Sequence, residues 1–157
     1  KERAELAMIV DLERNDLGRS AIPGSVRVLE AGTVQPFPTV LHRVARIAAT
    51  VPAAVPWWRL VAAMAPGGSV TGCPKRAAMA TIRDLEPVAR GPYTGLLGVV
   101  AGDGDLELAL PIRTAWSDGA TLHVAAGCGI VWDSDPAREE EESLLKVAPW
   151  LRLGELA

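Results

Sequence analysis

Two pairs of glutamates, one near each end of the 157-residue chain, have a spacing that suits cation binding. Glu2 and Glu5 are three residues apart, as are Glu139 and Glu142, and Lys146 follows one turn later. In a helix, residues three or four apart share a face, so each pair points two carboxylates the same way. If the two helices meet, four carboxylates converge, and like charges roughly 4 Å apart repel by about 4 kcal/mol at an effective dielectric near 20. Such a cluster requires a cation, and all-oxygen ligands favour Mg²⁺ over zinc.

The acidic residues near the end of the chain also have a simpler interpretation as a solvated helix face. Glu139 begins a run of four glutamates that ends at Glu142, and acidic residues in the first turn of a helix suit its dipole. Lys146 would then be an ordinary ion-pair partner of Glu142, four residues away. Spacing alone leaves both interpretations open.

A segment rich in glycine, at positions 66–75, could hold an anion between the two glutamate pairs. Its sequence is Pro-Gly-Gly-Ser-Val-Thr-Gly-Cys-Pro-Lys, and glycines let a backbone approach a ligand closely. The helix predicted after it would offer free N–H groups, and Ser69 and Lys75 add donors. The segment does not match a Walker A loop, and a loop that only leads into a helix explains the pattern equally well.

Other candidates for substrate contacts are the segment 127–129 and three single side chains. Gly-Cys-Gly at 127–129 indicates a bulge or a close backbone approach. Arg113 lies among apolar neighbours on a predicted strand, where it either points inward to a carboxylate or outward to water. Tyr93 is the only tyrosine and could equally be a core residue. His42 lies on a predicted helix, where a structural role is the alternative to a catalytic one.

Composition limits the class of protein. With 49% hydrophobic residues, the chain has enough apolar side chains for the core of one domain. A net charge of −3 argues against nucleic acid as a partner. No apolar run approaches the length of a membrane span, and no secretory leader is visible. The two cysteines lack metal-type spacing, which favours reduced thiols in a cytoplasmic protein.

Hydrophobic periodicity and turn residues predict an α+β fold rather than a doubly wound parallel sheet. Gly18 is a plausible helix stop, and Asp135 followed by Pro136 can begin the last helix. Gly-rich turns at 102–105 and 117–119 are typical of hairpins. The predicted helices cover residues 1–17, 40–51, 57–64, 75–85 and the segment after Asp135, and the predicted strands cover 25–30, 94–101, 106–116, 121–126 and 129–132.

Taken together, these residues resemble the family of chorismate-utilising enzymes, which includes anthranilate, aminodeoxychorismate, isochorismate and salicylate synthases. Several long motifs occur in the family's order over nearly the whole chain. They are Glu2-x-x-Glu5 with residues 9–19, residues 66–75, residues 85–87 with 90–95, residues 112–114, and residues 126–136 followed by Glu139, Glu142 and Lys146. The resemblance implies an α/β sandwich of antiparallel sheets and outer helices. Residues 1–157 would form its C-terminal half as a partial catalytic domain, with the N-terminal half absent.

The resemblance also implies a metal site. Glu5 and Glu142 match direct Mg²⁺ ligands, and Glu2 and Glu139 match residues that act through bound water. The metal would hold the ring carboxylate of chorismate, with Lys146 beside it.

Further positions match residues around the enolpyruvyl side chain and the departing hydroxyl. The enolpyruvyl carboxylate would be held by Arg113, Tyr93 and the backbone N–H groups of the segment Gly127, Cys128 and Gly129. Ser69 matches a hydroxyl near the substrate. His42 matches a histidine that assists loss of the C4 hydroxyl, which a protonated imidazole can do by donating a proton.

Within the family, the Pro-Gly-Gly-Ser form of the loop favours aminodeoxychorismate synthases over anthranilate synthases. The expected reaction is amination of chorismate with ammonia from a glutamine amidotransferase subunit or domain, on the route to p-aminobenzoate and folate. Anthranilate synthesis is the alternative activity. A third possibility is a truncated, inactive fragment, and we expect the chain in isolation to aggregate or lack activity because apolar sheet surface would be left uncovered.

Overall fold

Helices and antiparallel hairpins alternate along the chain, which confirms the predicted α+β class. The computed structural model describes residues 2–38 and 41–154, with side chains for residues 5–38 and 41–152. Contacts divide the chain after Thr81 into two units, and each is described by itself below. The elements are α1 (Glu2–Gly18), β1 (Arg27–Pro36), β2 (Leu41–Ala48), α2 (Trp57–Met64), α3 (Gly68–Thr71), α4 (Lys75–Leu85), β3 (Leu97–Val100), β4 (Leu106–Ala109), β5 (Thr114–Ser117), β6 (Leu122–Ala125) and α5 (Pro136–Gly154).

The first unit is built on α1 and one long hairpin. Strands β1 and β2 pair antiparallel from Arg27 opposite Ala48 to Pro36 opposite Leu41, with two irregularities in register. Helix α1 contacts both strands as well as α2 and α3. It ends at Gly18, as predicted.

The helix predicted for residues 40–51 is wrong, because residues Leu41–Ala48 form strand β2. Its apolar positions, which include Leu41, Val44 and Ile47, fit a helical spacing as well as they fit a strand. The partner decides between them, because β1 satisfies the backbone groups of β2 along its length. Arg43 strengthens the pairing by donating from Nη1 to the Gly32 carbonyl oxygen at 3.3 Å. His42 therefore lies on a strand.

The two helices predicted before and after the glycine-rich loop are confirmed. Helix α2 and helix α4 have the predicted bounds. Prolines at positions 56 and 74 precede their first residues, where a missing N–H costs nothing. The loop between the helices is not wholly irregular, since residues Gly68–Thr71 form the single turn α3.

Two short hairpins form the sheet structure of the second unit. Strand β3 pairs with β4, and β5 pairs with β6, both antiparallel. The predicted turns are confirmed, with Gly104 and Gly119 at φ of 97° and 95°, a conformation that glycine adopts without strain.

Two predicted strands of the second unit need correction. The strand at 106–116 is interrupted between β4 and β5, where Pro111 has no N–H to donate and Arg113 adopts φ 47°. The strand at 129–132 is absent from the described structure. There, Val131 N–H donates to Ser134 Oγ at 3.0 Å, and Ser134 N–H donates to the Val131 carbonyl at 3.0 Å. This local turn uses groups that a strand would have offered to a partner.

Helix α5 begins as the sequence predicts. Asp135 Oδ1 accepts a hydrogen bond from Arg138 N–H at 3.1 Å, and the Asp135 carbonyl accepts from Glu139 N–H at 3.0 Å. This cap fixes the first turn of α5, a helix that contacts β6. Because the cap sets the start of α5, it also sets the direction in which Glu139 points.

Apolar side chains are covered only partly. Among residues 5–38 and 41–152, no hydrophobic side chain is fully buried. Leu97 and Val99 on β3 are each 69% exposed, and Trp132 is completely exposed. No helix in the described ranges is long and apolar enough to cross a membrane.

Candidate functional site

Helix α5 carries three of the predicted site residues on one face. Glu139 is buried, with 8% of its surface exposed, whereas Glu142 is exposed. Lys146 Nζ lies 2.6 Å from Glu142 Oε1, one turn along the helix. This hydrogen bond is the main reason that the pKa of Glu142 is lowered. Burial lowers the pKa of Lys146, because it disfavours the charged form. The hydrogen bond to Glu142 and the nearby Cys128 raise it by more, so that the pKa of Lys146 is raised overall. Both groups are therefore charged at neutral pH.

The glycine segment 127–129 is fastened to this face of α5. Lys146 Nζ donates to the Gly127 carbonyl oxygen at 2.9 Å and lies 3.6 Å from Cys128 Sγ. The Cys128 thiol donates to the Glu139 carbonyl oxygen at 3.3 Å and lies 3.2 Å from Ser143 Oγ. These contacts hold residues 127 and 128 against α5.

Two carboxylates on α5 fit a divalent cation. Ligand atoms of Glu139, Glu142 and Cys128 all lie within 4.8 Å of one another. Carboxylate oxygens suit Mg²⁺, whereas the thiol is a soft ligand and already has hydrogen-bond partners. The other predicted pair lies on α1 in the first unit. There Glu5 is exposed, and the side chain of Glu2 lies outside the described residues. The four-carboxylate site therefore stays a prediction.

Tyr93 joins the α5 cluster through its hydroxyl group. A Cβ atom on Gly127 would lie 2.7 Å from Tyr93 Oη, so the hydroxyl occupies the space that only glycine leaves free. Burial raises the pKa of Tyr93, although the positive charges of Arg90 and Lys146 partly offset this. The phenol is neutral at pH 7 and can donate a hydrogen bond. The Tyr93 hydroxyl and the Lys146 ammonium thus both lie against Gly127, beside α5.

Arg113 lies at the break between β4 and β5 rather than within a strand. Its side chain is exposed, and its backbone is in the left-handed region, with φ 47°. Trp150 Nε1, on α5, donates to the Arg113 carbonyl oxygen at 3.0 Å. The turn that carries the guanidinium group is therefore tied to the same helix as the acidic pair.

The first unit holds the glycine-rich loop and His42. Gly68 packs so closely on α1 that an added Cβ would lie 3.3 Å from Leu12. Thr71 Oγ1 donates to the Gly67 carbonyl oxygen at 2.9 Å, which closes the turn, and Ser69 is exposed. His42 is exposed on β2, and its ring meets Phe37 edge-on at 5.1 Å.

Lys75 binds within the protein rather than pointing freely from the loop. Its ammonium lies 2.5 Å from Asp16 Oδ2 and donates to the Met64 carbonyl oxygen at 3.2 Å. The contact with Asp16 is an ion pair. Asp16 is 3% exposed, and burial followed by the Asp16 charge raises the pKa of nearby Glu13. Sequence reasoning missed both acids, although Asp16 lies one turn from Leu12 on the helix face that packs on the loop.

Comparison with known proteins gives a consistent result. Residues 1–152 match a family model described as chorismate binding enzyme. The chain is 44% identical over 149 residues to anthranilate synthase component 1 from Aeropyrum pernix, and 46% identical over 147 residues to aminodeoxychorismate synthase component 1 from Klebsiella aerogenes. These alignments each cover 94% of this chain, and 34% and 33% of the two relatives.

A solved structure supports the same relationship. Anthranilate synthase component I from Streptococcus pneumoniae superposes with a TM-score of 0.86 at 37% identity, over 92% of this chain and 33% of that one. The chain thus spans about one third of the length of the relatives it matches.

Proposed function

The chain belongs to the family of chorismate-binding enzymes, and on this premise we propose that it contributes to the Mg²⁺-dependent amination of chorismate. The proposed products are 4-amino-4-deoxychorismate and water, from chorismate and ammonia. One observation supports the proposal: Lys146, Gly127 and Tyr93 meet beside Glu139 and Glu142 of α5, the two carboxylates that we propose as metal ligands. A substrate with two carboxylates matches that combination.

In the proposed mechanism, the residues of the second unit bind and orient the substrate. Lys146, held in its charged form by Glu142, would pair with the ring carboxylate. Tyr93 and Arg113 would donate to the enolpyruvyl carboxylate together with the backbone N–H groups of Gly127 and Gly129. Bound Mg²⁺, held by Glu139 and Glu142 with Glu2 and Glu5, would supply neutralising charge for the ring carboxylate. Fixing the ring in this way aligns it for attack by a nucleophile.

The first unit would act at the reacting carbon. His42 would donate a proton to the departing C4 hydroxyl, which leaves as water while ammonia forms the new C–N bond. Ser69 would lie near the substrate as a hydrogen-bond partner. Exposure of both side chains in the first unit is compatible with contact to a ligand.

We also propose a glutamine amidotransferase partner that supplies the ammonia. The similar proteins are named component 1, which is compatible with a second component. We propose a cytoplasmic location, and the free thiols of Cys73 and Cys128 support it because a reducing compartment keeps thiols free.

The choice of product depends on the loop at positions 66–75. Its Pro-Gly-Gly-Ser sequence favours amination at C4 and hence 4-amino-4-deoxychorismate. Anthranilate formation is the second candidate, because the identity to an anthranilate synthase, 44%, is close to the 46% identity to an aminodeoxychorismate synthase. A fragment that binds the metal without catalysing the reaction is the third.

The test is product identification by mass spectrometry. Protein expressed from the full reading frame that encodes this chain is incubated with chorismate, Mg²⁺ and ammonium, with and without aminodeoxychorismate lyase. Lyase-dependent p-aminobenzoate supports the proposal, and anthranilate without lyase supports the second candidate. Unreacted chorismate with a folded protein would overturn both activities. The proposed Mg²⁺ requirement is tested by adding a chelator, which should abolish turnover, and then Mg²⁺, which should restore it.

A further inference from the structure

Arg90 links the two side chains that the proposed function assigns to the enolpyruvyl carboxylate, although it has no assigned role of its own. It contacts Tyr93 directly and reaches the turn before Arg113 through Thr94. We propose that Arg90, held by Glu86, is a positioning residue for this carboxylate-binding pair. The inference rests on the proposed function for its substrate, and on the geometry of the second unit for its mechanism.

Glu86 fixes the orientation of the Arg90 guanidinium group. Arg90 Nε donates to Glu86 Oε2 at 2.9 Å, and Nη2 lies 2.6 Å from Oε1, which gives a two-pronged ion pair. Such parallel hydrogen bonds fix direction as well as charge. The hydrogen bond from Arg90 is also the main reason that the pKa of Glu86 is lowered, so the pair stays ionised at neutral pH.

The first contact made by the fixed guanidinium is with Tyr93. Its central carbon lies 5.7 Å from the centroid of the Tyr93 ring, within the range of a cation–π interaction. The hydroxyl of the same ring lies against Gly127. Arg90 therefore holds the ring from above its plane and Gly127 limits the position of the hydroxyl, so a shift of the guanidinium would displace the hydroxyl.

The second contact leads towards Arg113. Arg90 Nη1 donates to Thr94 Oγ1 at 3.3 Å. Thr94 is 7% exposed and adopts φ 62°, a conformation that its β-branched side chain disfavours. Its N–H donates to the Pro111 carbonyl at 2.8 Å, two residues before Arg113. Strained residues persist only where their surroundings hold them, and Arg90 is part of what holds Thr94.

Lysine cannot replace arginine in this arrangement. A guanidinium group presents five donors in a planar fork, whereas an ammonium is a compact point charge. Lysine at position 90 would keep the charge but could not bind Glu86 with two parallel bonds while also lying over Tyr93 and donating to Thr94. Arg90→Lys therefore removes the contacts that position Tyr93 and Thr94 but keeps the positive charge at position 90.

Steady-state kinetics with chorismate test the role. In a protein that turns over chorismate, Arg90→Lys is expected to raise KM about tenfold and to leave kcat within about twofold, because substrate binding is affected before chemistry. Arg83→Lys is the matched control, since Arg83 pairs with Asp84 on the exposed face of α4 and contacts no site residue among those described. Its KM should not change.

A double variant shows whether Arg90 acts through Tyr93. In a Tyr93→Phe background, Arg90→Lys should raise KM by only about threefold, because the hydroxyl it positions is gone and only the Thr94 branch remains. The inference is overturned if Arg90→Lys raises KM tenfold both with Tyr93 present and in the Tyr93→Phe background, or if it changes KM in neither.

A spectroscopic measurement separates this inference from the proposed function. With ¹³C-labelled tyrosine, the signal that disappears in Tyr93→Phe belongs to Tyr93. That signal should shift in Arg90→Lys and stay in place in Arg83→Lys, whether or not chorismate is turned over. An unmoved signal overturns the positioning role alone, whereas lack of turnover by the unsubstituted protein overturns the proposed function and the substrate assigned here.

Discussion

Asp16 and Lys75 form the most buried ion pair among the described residues. Their side chains are 5% and 20% exposed, and they join α1 to the start of α4. Removal of one partner from a buried pair leaves an uncompensated charge, which typically costs about 3–5 kcal/mol. The pair therefore stabilises the loop that carries Ser69.

Lys75→Met is expected to lower the free energy of unfolding by about 3 kcal/mol, because Asp16 would lose its counterion while remaining buried. Urea denaturation followed by circular dichroism measures the change. Arg14→Met is the control, since Arg14 forms an exposed pair with Asp11 on the same helix and should cost less than about 1 kcal/mol. Equal losses in the two variants would contradict the prediction.

Ionisation of Glu13, beside Asp16, makes the stability of the protein depend on pH. Burial and the charge of Asp16 raise its pKa in the folded state, so the folded protein holds a proton that the unfolded chain releases more readily. Ionisation of Glu13 therefore costs stability as the pH rises above its ordinary value of 4.5.

Glu13→Gln should therefore raise the urea midpoint at pH 7, and the gain should vanish below pH 4.5, where Glu13 is protonated in both states. A gain of equal size at both pH values would exclude Glu13 ionisation as its cause.

At the scale of elements, local signals predicted some segments well and others poorly. Proline and capping residues fixed α2, α4 and α5, because their effects act within one turn. Strand β2 was mistaken for a helix, since Val44 and Ile47 fit either period and only pairing with β1 decides. The strand predicted through Arg113 is wrong, although Pro111 is a local signal against it. The Asp16–Lys75 pair was missed because it depends on contact between α1 and the loop, which are distant in sequence.

The hairpin of β3 and β4 requires glycine at one position. Gly98 pairs with Leu108, and a Cβ atom there would overlap the backbone of Glu107. Gly98→Ala should destabilise the second unit by about 2 kcal/mol, because the strands must separate to admit the methyl group. Thermal unfolding measures this, and Gly102→Ala is the control because its Cβ would meet nothing within 4 Å. Similar melting temperatures for the two variants would refute the steric explanation.

At the scale of the whole molecule, exposed apolar surface is the dominant feature. Leu97 and Val99 project from the same face of β3, since alternate residues of a strand share a face. Contiguous exposed apolar surface is typical of sites that contact other protein.

The 157-residue chain by itself is therefore expected to self-associate, and sedimentation velocity at several concentrations measures it. Substitution of Leu97 and Val99 by serine should shift the distribution towards monomer. Leu85→Ser is the control, since Leu85 is 76% exposed and lies at the end of helix α4 rather than on that strand. A monodisperse monomer of the unsubstituted chain at all concentrations would contradict this prediction.

The left-handed backbone of Arg113 lowers the stability of the protein, whereas its side chain is proposed to bind substrate. A non-glycine residue at φ 47° costs of order 1 kcal/mol, and glycine would remove that cost. Arg113→Gly should therefore melt no lower than the unsubstituted protein while its chorismate KM rises, and calorimetry beside kinetics would show both. Selection for stability alone would discard this arginine. Screens that enrich for thermostable variants should select substitutions of Arg113 in early rounds. The selected variants should be more stable but should bind chorismate more weakly.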